Sequence, residues 1–220
     1  MTVARYAGDA RSVLDVGGRG QEMACLIAGA TVTSVNIEPP ADRIVAPGLL
    51  PFADDSHDAV TSSDVLEHVP AEDRRAHVAE LLRVARRRVV LGFPCGSPQK
   101  SAAEVRLAAT LLDDFGLRLD FLDEHLEHGL PTPNDVAAMD RAAAPRAEVR
   151  MLFHDDFEDA DRLLLDAVTA YRRHKIRPFL RFAHAWVVRR RPELGQQQLP
   201  TTNRVFLVID LPAPARPGSA

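Results

Sequence analysis

The segment Val13-Leu14-Asp15-Val16 runs directly into Gly17-Gly18-Arg19-Gly20, and this junction limits the fold more than any other feature of the chain. A short apolar run with no polar alternation is the pattern of a strand covered on both faces. Glycines at its end mark a tight turn where backbone can come close to a ligand. The pattern then repeats along the chain. A helix is expected over Gln21–Ala28, followed by β-rich runs at Ala30–Ile37, Arg43–Ala46 and, after the turn Asp54-Asp55-Ser56, His57–Ser62. Apolar residues three and four apart (Ala71, Val78, Leu81, Leu82, Ala85) predict a helix over Ala71–Ala85, and Arg88–Phe93 is a fifth strand stopped by Pro94. Helices are expected at Ala102–Phe115, Asp120–Gly129 and Glu158–Arg191, with Pro131-Thr132-Pro133 as a break. Further strands are expected at Glu148–Phe153 and Arg204–Leu211. Strands alternating with helices indicate an α/β class with a parallel sheet covered on both faces.

Composition narrows the function classes. At 220 residues, one domain is expected over 1–212, with a helical acceptor-side segment at 101–147, a basic helical insertion at 158–195 and a disordered proline-rich tail at 213–220. The net charge of −4 excludes nucleic-acid binding through bulk positive charge. Two cysteines, Cys25 and Cys95, form no CxxC pair and suit a reducing cytoplasm. The opening MTVARYAGDARSV has no apolar h-region, and no apolar run reaches the roughly 20 residues of a membrane span.

In open α/β sheets, ligands bind at the carboxyl ends of the strands where strand order reverses. A glycine turn alone is compatible with NAD, FAD or nucleotides, but GK[ST], and with it a P-loop, is missing. The segment Leu50–Pro70, LPFADDSHDAVTSSDVLEHVP, separates these options. With the glycine turn before it and ELLRVARRRVVLGFP after it, the stretch from Ser12 to Pro94 resembles the class I S-adenosylmethionine-dependent methyltransferases, in their small-molecule and glycan-cluster branch. The resemblance implies a doubly wound, Rossmann-like, seven-stranded and mostly parallel sheet whose last strand is antiparallel. It implies S-adenosylmethionine as cofactor and assigns its site. Asp15, Gly17, Gly18 and Gly20 would cradle the methionine part, while Asn36 and Glu38 would meet the ribose and Ile37 the adenine. Gly48, Leu49 and Leu50 would line the adenine slot, and Ser63, Asp64 and His68 would floor the sulfonium.

Three positions depart from that pattern. Arg19 stands at the central glycine, Asn36 at the ribose acid and Pro47 at the acid before LPF. Each lost charge-assisted hydrogen bond would weaken a ligand by about 1.5–3 kcal/mol. The first strand also begins a dozen residues into the chain, so little N-terminal helical lid is expected.

For the acceptor side, Asp123-Glu124-His125-Leu126-Glu127-His128-Gly129-Leu130-Pro131 places two histidines three apart, each preceded by glutamate. Methyl transfer to a hydroxyl needs the proton removed, and imidazole suits that near neutral pH. His125 is the expected base, with His128 or Glu124 as its partner. A solvated helix end, with histidines satisfying its dipole, explains the same residues. Two metal ligands are available there, but no third is evident, and no metal is expected. His68 and Cys95 also read as packed residues, and His154-Asp155-Asp156 as a capping loop.

Between the last two strands, Tyr171–Arg191 carries seven arginines, one lysine and no acid, interleaved with Phe179, Leu180, Phe182, Trp186 and Val187. Such a stretch suits either peripheral contact with an anionic membrane at the inner face of the cell, or an amphipathic helix packed on the sheet. Three functions follow. The first is methyl transfer, O-directed, to a small molecule or a sugar or glycan intermediate, which could be lipid-linked. The second is a degenerate, non-catalytic binding module or partner subunit built on the same fold, and the third is a dehydrogenase supported by the glycine turn alone.

Overall fold

The computed structural model describes residues 2–20, 22–174 and 194–212. Its centre is a seven-stranded sheet in the order β3-β2-β1-β4-β5-β7-β6. The strands are β1 (Ser12–Val16), β2 (Thr31–Asn36), β3 (Arg43–Ile44), β4 (His57–Ser63), β5 (Ala85–Pro94), β6 (Glu148–Asp156) and β7 (Thr202–Asp210). The first five pair in parallel, and β7 runs antiparallel to both β5 and β6. Every expected strand forms, and the antiparallel last strand lies inside the sheet. The reversal in strand order falls between β1 and β4, which fixes where a ligand site belongs.

Alternation along the strands divides the core in two. Leu14, Val60, Val89 and Leu207 face one layer, where they meet Val78 and Leu81 of α2 (Arg74–Val84) and Val136 and Ala137 of α5 (Pro133–Ala143). Their neighbours Val13, Ala59, Val90 and Val208 face the opposite layer, against Val3, Ala4 and Ala7 of α1 (Thr2–Ala7). A satellite core joins α3 (Pro98–Phe115), α4 (Asp120–His128) and α6 (Phe157–His174) through Leu107, Leu111, Leu122 and Leu164. No helix among the described residues is long and apolar enough to cross a membrane.

Several expected helices shift. The stretch expected to be helical over 21–28 is a run of turns across its described residues, 22–28. Only Ile27 is buried there, while Cys25 and Leu26 are exposed. One anchor does not offset the cost of nucleating so short a helix between glycines. Among the described residues, no helix therefore follows the glycine turn directly. Pro131-Thr132-Pro133 ends one element but also starts α5: the Thr132 hydroxyl accepts from the Asp135 N–H at 3.2 Å, and Pro133 sits in the first turn. Ser97 caps α3 in the same way, accepting from the Lys100 N–H at 3.1 Å, so that helix starts at Pro98. The acceptor-side segment 101–147 thus consists of most of α3, all of α4 and α5, and their links. The helix expected over 158–191 is α6 as far as His174. The rest of the basic stretch, Lys175–Arg191, and the tail 213–220 lie outside the described residues.

Asp140 on α5 is fully buried, and neither carboxylate oxygen has a hydrogen-bond partner. Burial pushes its carboxyl from 3.8 up to about 7. Between those values the native state keeps a proton that the unfolded chain releases, so this group lowers stability as pH rises. At about 1.4 kcal/mol per unit, the loss is on the order of 4 kcal/mol. Asp140→Asn is expected to gain on the native sequence in urea unfolding from pH 4 to pH 7, with a level gap above. A gap that is constant with pH would contradict the assignment.

Candidate functional site

The glycine turn sits on a buried carboxylate. Asp15, 6% exposed, accepts from the Thr61 hydroxyl at 2.8 Å across the β1–β4 pair. A Cβ on Gly18 would stand 2.2 Å from the other Asp15 oxygen, so only glycine lets the backbone pass over the acid. Gly17 has φ +82°, and a Cβ there would lie 2.1 Å from a methyl of Val65. Burial pushes the Asp15 carboxyl up to about 6, with the Thr61 hydrogen bond opposing. Gly20 completes the turn at φ +62° with open space beside it.

Asn36, at the end of β2, faces this turn. Its amide nitrogen donates to the carbonyls of Gly17 at 3.1 Å and Gly18 at 3.3 Å, and its oxygen accepts from the Ile37 N–H at 2.7 Å. A carboxylate could not make the first two bonds. Asn36 therefore braces the glycine turn, while Glu38, an exposed acid just past β2, lies 4.0 Å from Arg19. Ile37 is 63% exposed and Leu49 80% exposed, the open apolar groups expected of an adenine slot. Leu50 departs from that expectation. Its side chain is buried in the core, because Arg83 and Glu80 of α2 grip its backbone: Glu80 accepts its N–H and Arg83 donates to its carbonyl, both at 3.0 Å. Gly48 lies exposed in the same loop at φ +108°.

Beyond β4, Ser63 pairs with Gly92 on β5, and Asp64 takes a left-handed φ of +58°. Its N–H donates to the Gly92 carbonyl at 2.9 Å, and its carboxylate meets Arg204 of β7 at 2.7 Å. Val65 then leads into a 3-10 turn, Leu66–His68. Glu67 in that turn is 1% exposed, with Oε2 unpartnered. Burial, reinforced by Asp64, pushes its carboxyl up to about 8, opposed by Arg204 and Arg74.

The histidines gather differently from their spacing. His125 is 7% exposed, and its Nδ1 lies 3.3 Å from Glu104 of α3. Lys100 is 3.5 Å from that same carboxylate oxygen, forming a buried Lys–Glu–His chain. Neither expected partner of His125 is there. Glu124 points to Nδ1 of His68, and the His128 backbone carbonyl accepts from Arg74 at 3.1 Å. Residues three apart on a helix share a face, but which partner each side chain meets is set by the elements packed against that face. Here the helix turns His125 inward, toward His68, whose ring centroid is 5.4 Å away. Arg74 fixes this arrangement from α2, donating to the carbonyls of Leu66, Val69, His128 and Gly129. Cys95 is fully buried, and burial pushes its thiol up to about 11, consistent with packing.

Sequence reasoning missed Thr61, Arg74, Lys100 and Glu104, and quoted Glu67 without singling it out. The chain contains only two lysines against twenty-five arginines, so Lys100 was the one available signal. Arginine is always charged and bulky, and the site Lys100 fills is buried.

Residues 14–93 match the methyltransferase domain family. The matched stretch holds the glycine turn, the Asp15–Thr61 pair and the 3-10 turn. An uncharacterized methyltransferase of Mycobacterium marinum is 38% identical over 92 residues, covering 34% of this chain. The chain spans about a third (35%) of the length of that relative. Among solved structures, a SAM dependent methyltransferase from Archaeoglobus fulgidus superposes with a TM-score of 0.55 at 15% identity, over 94% of this chain and 88% of the other. A geranyl diphosphate methyltransferase in complex with SAM gives 0.57 at 12% identity, over 95% and 82%. At such identities these two establish the fold.

Asn36→Asp is expected to lower unfolding free energy by about 1–3 kcal/mol, because two donors are replaced by a charge facing carbonyls. Chemical denaturation checks this, and an unchanged midpoint would mean the amide does not brace the turn.

Proposed function

We propose that this chain is an S-adenosylmethionine-dependent methyltransferase of the reducing cytoplasm, acting on a hydroxyl of a small-molecule or sugar acceptor, with lipid-linked glycan intermediates included. The observation that carries the reading is the glycine turn stacked on buried Asp15 at the point where strand order reverses, inside the stretch that matches the methyltransferase domain family. When bound, the cofactor would supply a sulfonium methyl group for in-line transfer to an acceptor oxygen, with S-adenosylhomocysteine as the leaving thioether.

The residues present suit that group. Gly20 has open space beside it, Gly17 and Gly18 admit no side chain of their own, and the Asp15 carboxylate beneath gives the turn a negative floor for a cationic ligand. Glu38 is the acid left to meet ribose hydroxyls, since Asn36 is engaged with the turn. Exposed Ile37 and Leu49 offer apolar surface for adenine. Asp64 and Ser63, at the end of β4, would floor the sulfonium. On the acceptor side, His68 and His125 form the polar wall, each backed by a carboxylate. His125 takes the hydroxyl proton, with Glu104 holding its ring in place of the partners expected from spacing. His128 lies outside this pair and is left with no part in the proton transfer. The basic stretch 171–191 would bring a phosphate-bearing or lipid-linked acceptor, or the anionic membrane surface, to the enzyme.

Calorimetric titration with S-adenosylhomocysteine, which needs no acceptor, tests the reading. A micromolar dissociation constant is expected, weakened at least tenfold by Asp15→Ala, a loss of about 1.4 kcal/mol or more. Glu38→Gln, at an exposed position, supplies a second variant if the buried one unfolds. Absence of binding at millimolar product would favour the non-catalytic module, and full affinity in both variants would displace the site.

A further inference from the structure

The cluster at the acceptor wall has more donors than a proton relay requires. Glu67 and His68 come from one 3-10 turn, and His125 from α4 packed against it. One ligand-capable atom of each lies within 4.8 Å of the other two. Both imidazoles are held at Nδ1 by carboxylates outside the trio, His68 by Glu124 and His125 by Glu104. That arrangement leaves Nε2 of each ring for another partner. It is the pattern in which a carboxylate orients a metal-bound histidine and raises its basicity. Glu67 adds an enclosed carboxylate oxygen, Oε2, with no hydrogen-bond partner. A buried polar atom of this kind is uncommon unless something else satisfies it.

We propose that Glu67, His68 and His125 bind one divalent transition-metal ion. Two imidazoles and a carboxylate suit zinc, manganese, iron or cobalt better than magnesium or calcium, which favour all-oxygen sites. Ligand atoms around a tetrahedral ion stand roughly 3.3 Å apart, given metal–ligand bonds of about 2.0–2.1 Å. The trio must therefore draw inward, and His68, a half-exposed side chain on a short turn, is the member free to do so. Three protein ligands leave a coordination position for an acceptor oxygen; with the ion bound, His125 serves as a ligand and the metal, in place of His125 as base, lowers the pKa of the hydroxyl. That task rests on the methyl-transfer reading, whereas binding of the ion does not. Helical spacing had directed attention to His125 with His128. The fold selects His125 with His68 instead, and brings the carboxylate with them.

The test uses the full chain, stripped of metal with a chelator and titrated with Co2+ under visible absorption, then with Zn2+ in competition. One equivalent of Co2+ is expected, displaced by Zn2+ and not by Mg2+ at equal concentration. Glu67→Gln and His125→Ala should abolish that equivalent. His68→Ala, at a half-exposed position, gives the same answer if the buried variants fail to fold. Glu124→Gln, which touches only the orienting carboxylate, should weaken Co2+ by about 10–100-fold. Cys25→Ser, at the exposed thiol, should leave the titration unchanged. No saturable equivalent, an equivalent that survives both Glu67→Gln and His68→Ala, or ready displacement by Mg2+ would each overturn the proposal. S-adenosylhomocysteine titrated into the same preparation separates the two readings. Product binding without Co2+ removes the ion alone, whereas Co2+ binding without product removes methyl transfer and leaves the ion site standing.

Discussion

Arg74 ties the site together. Its guanidinium is buried at the start of α2 and donates to four carbonyls, two in and just after the 3-10 turn that follows β4 and two at the C-terminus of α4. The last carbonyls of a helix have no partner within it, so a buried cation there satisfies the backbone and the helix dipole together. With the Glu124–His68 pair, that contact sets the distance between the turn carrying Glu67 and His68 and the helix carrying His125. The two elements come from positions about 60 residues apart in the chain, and the side chain that joins them belongs to neither.

The glycine-turn half of the site depends on close approach rather than on a network. Asp15 accepts one hydroxyl and lies beneath Gly18, while Asn36 secures the same turn from the neighbouring strand. This gives a physical account of one departure from the family pattern. An acid at position 36 could hold a ribose but could not donate to the Gly17 and Gly18 carbonyls. The amide holds the turn. Arg19, at the missing central glycine, turns outward toward Glu38 and leaves the turn unobstructed.

Local pattern was enough to read the strands, because β1, β4 and β5 alternate or run apolar in ways that fit a covered sheet. It was less reliable for helices. The turns at 22–28 have helix-forming residues but too few buried anchors, and Pro131-Thr132-Pro133 reads as a stop until Thr132 is seen capping the helix that follows. The positions of the glycine turn, Ile37 and Asp64 were legible because each follows the end of a strand. Leu50 was misplaced because its burial depends on Arg83 and Glu80, some thirty residues further on.

The sequence by itself determined the α/β architecture, the strand that ends in the glycine turn and the residue types gathered near it, since these follow from short-range periodicity and backbone permissiveness. Only the tertiary structure decided which polar groups meet. It paired His125 with Glu104 and His68 rather than with His128, sent Glu124 to His68, and buried Glu67 among them. Hydrogen bonding between side chains depends on distances set by packing across separate elements, and no spacing along one helix encodes those distances.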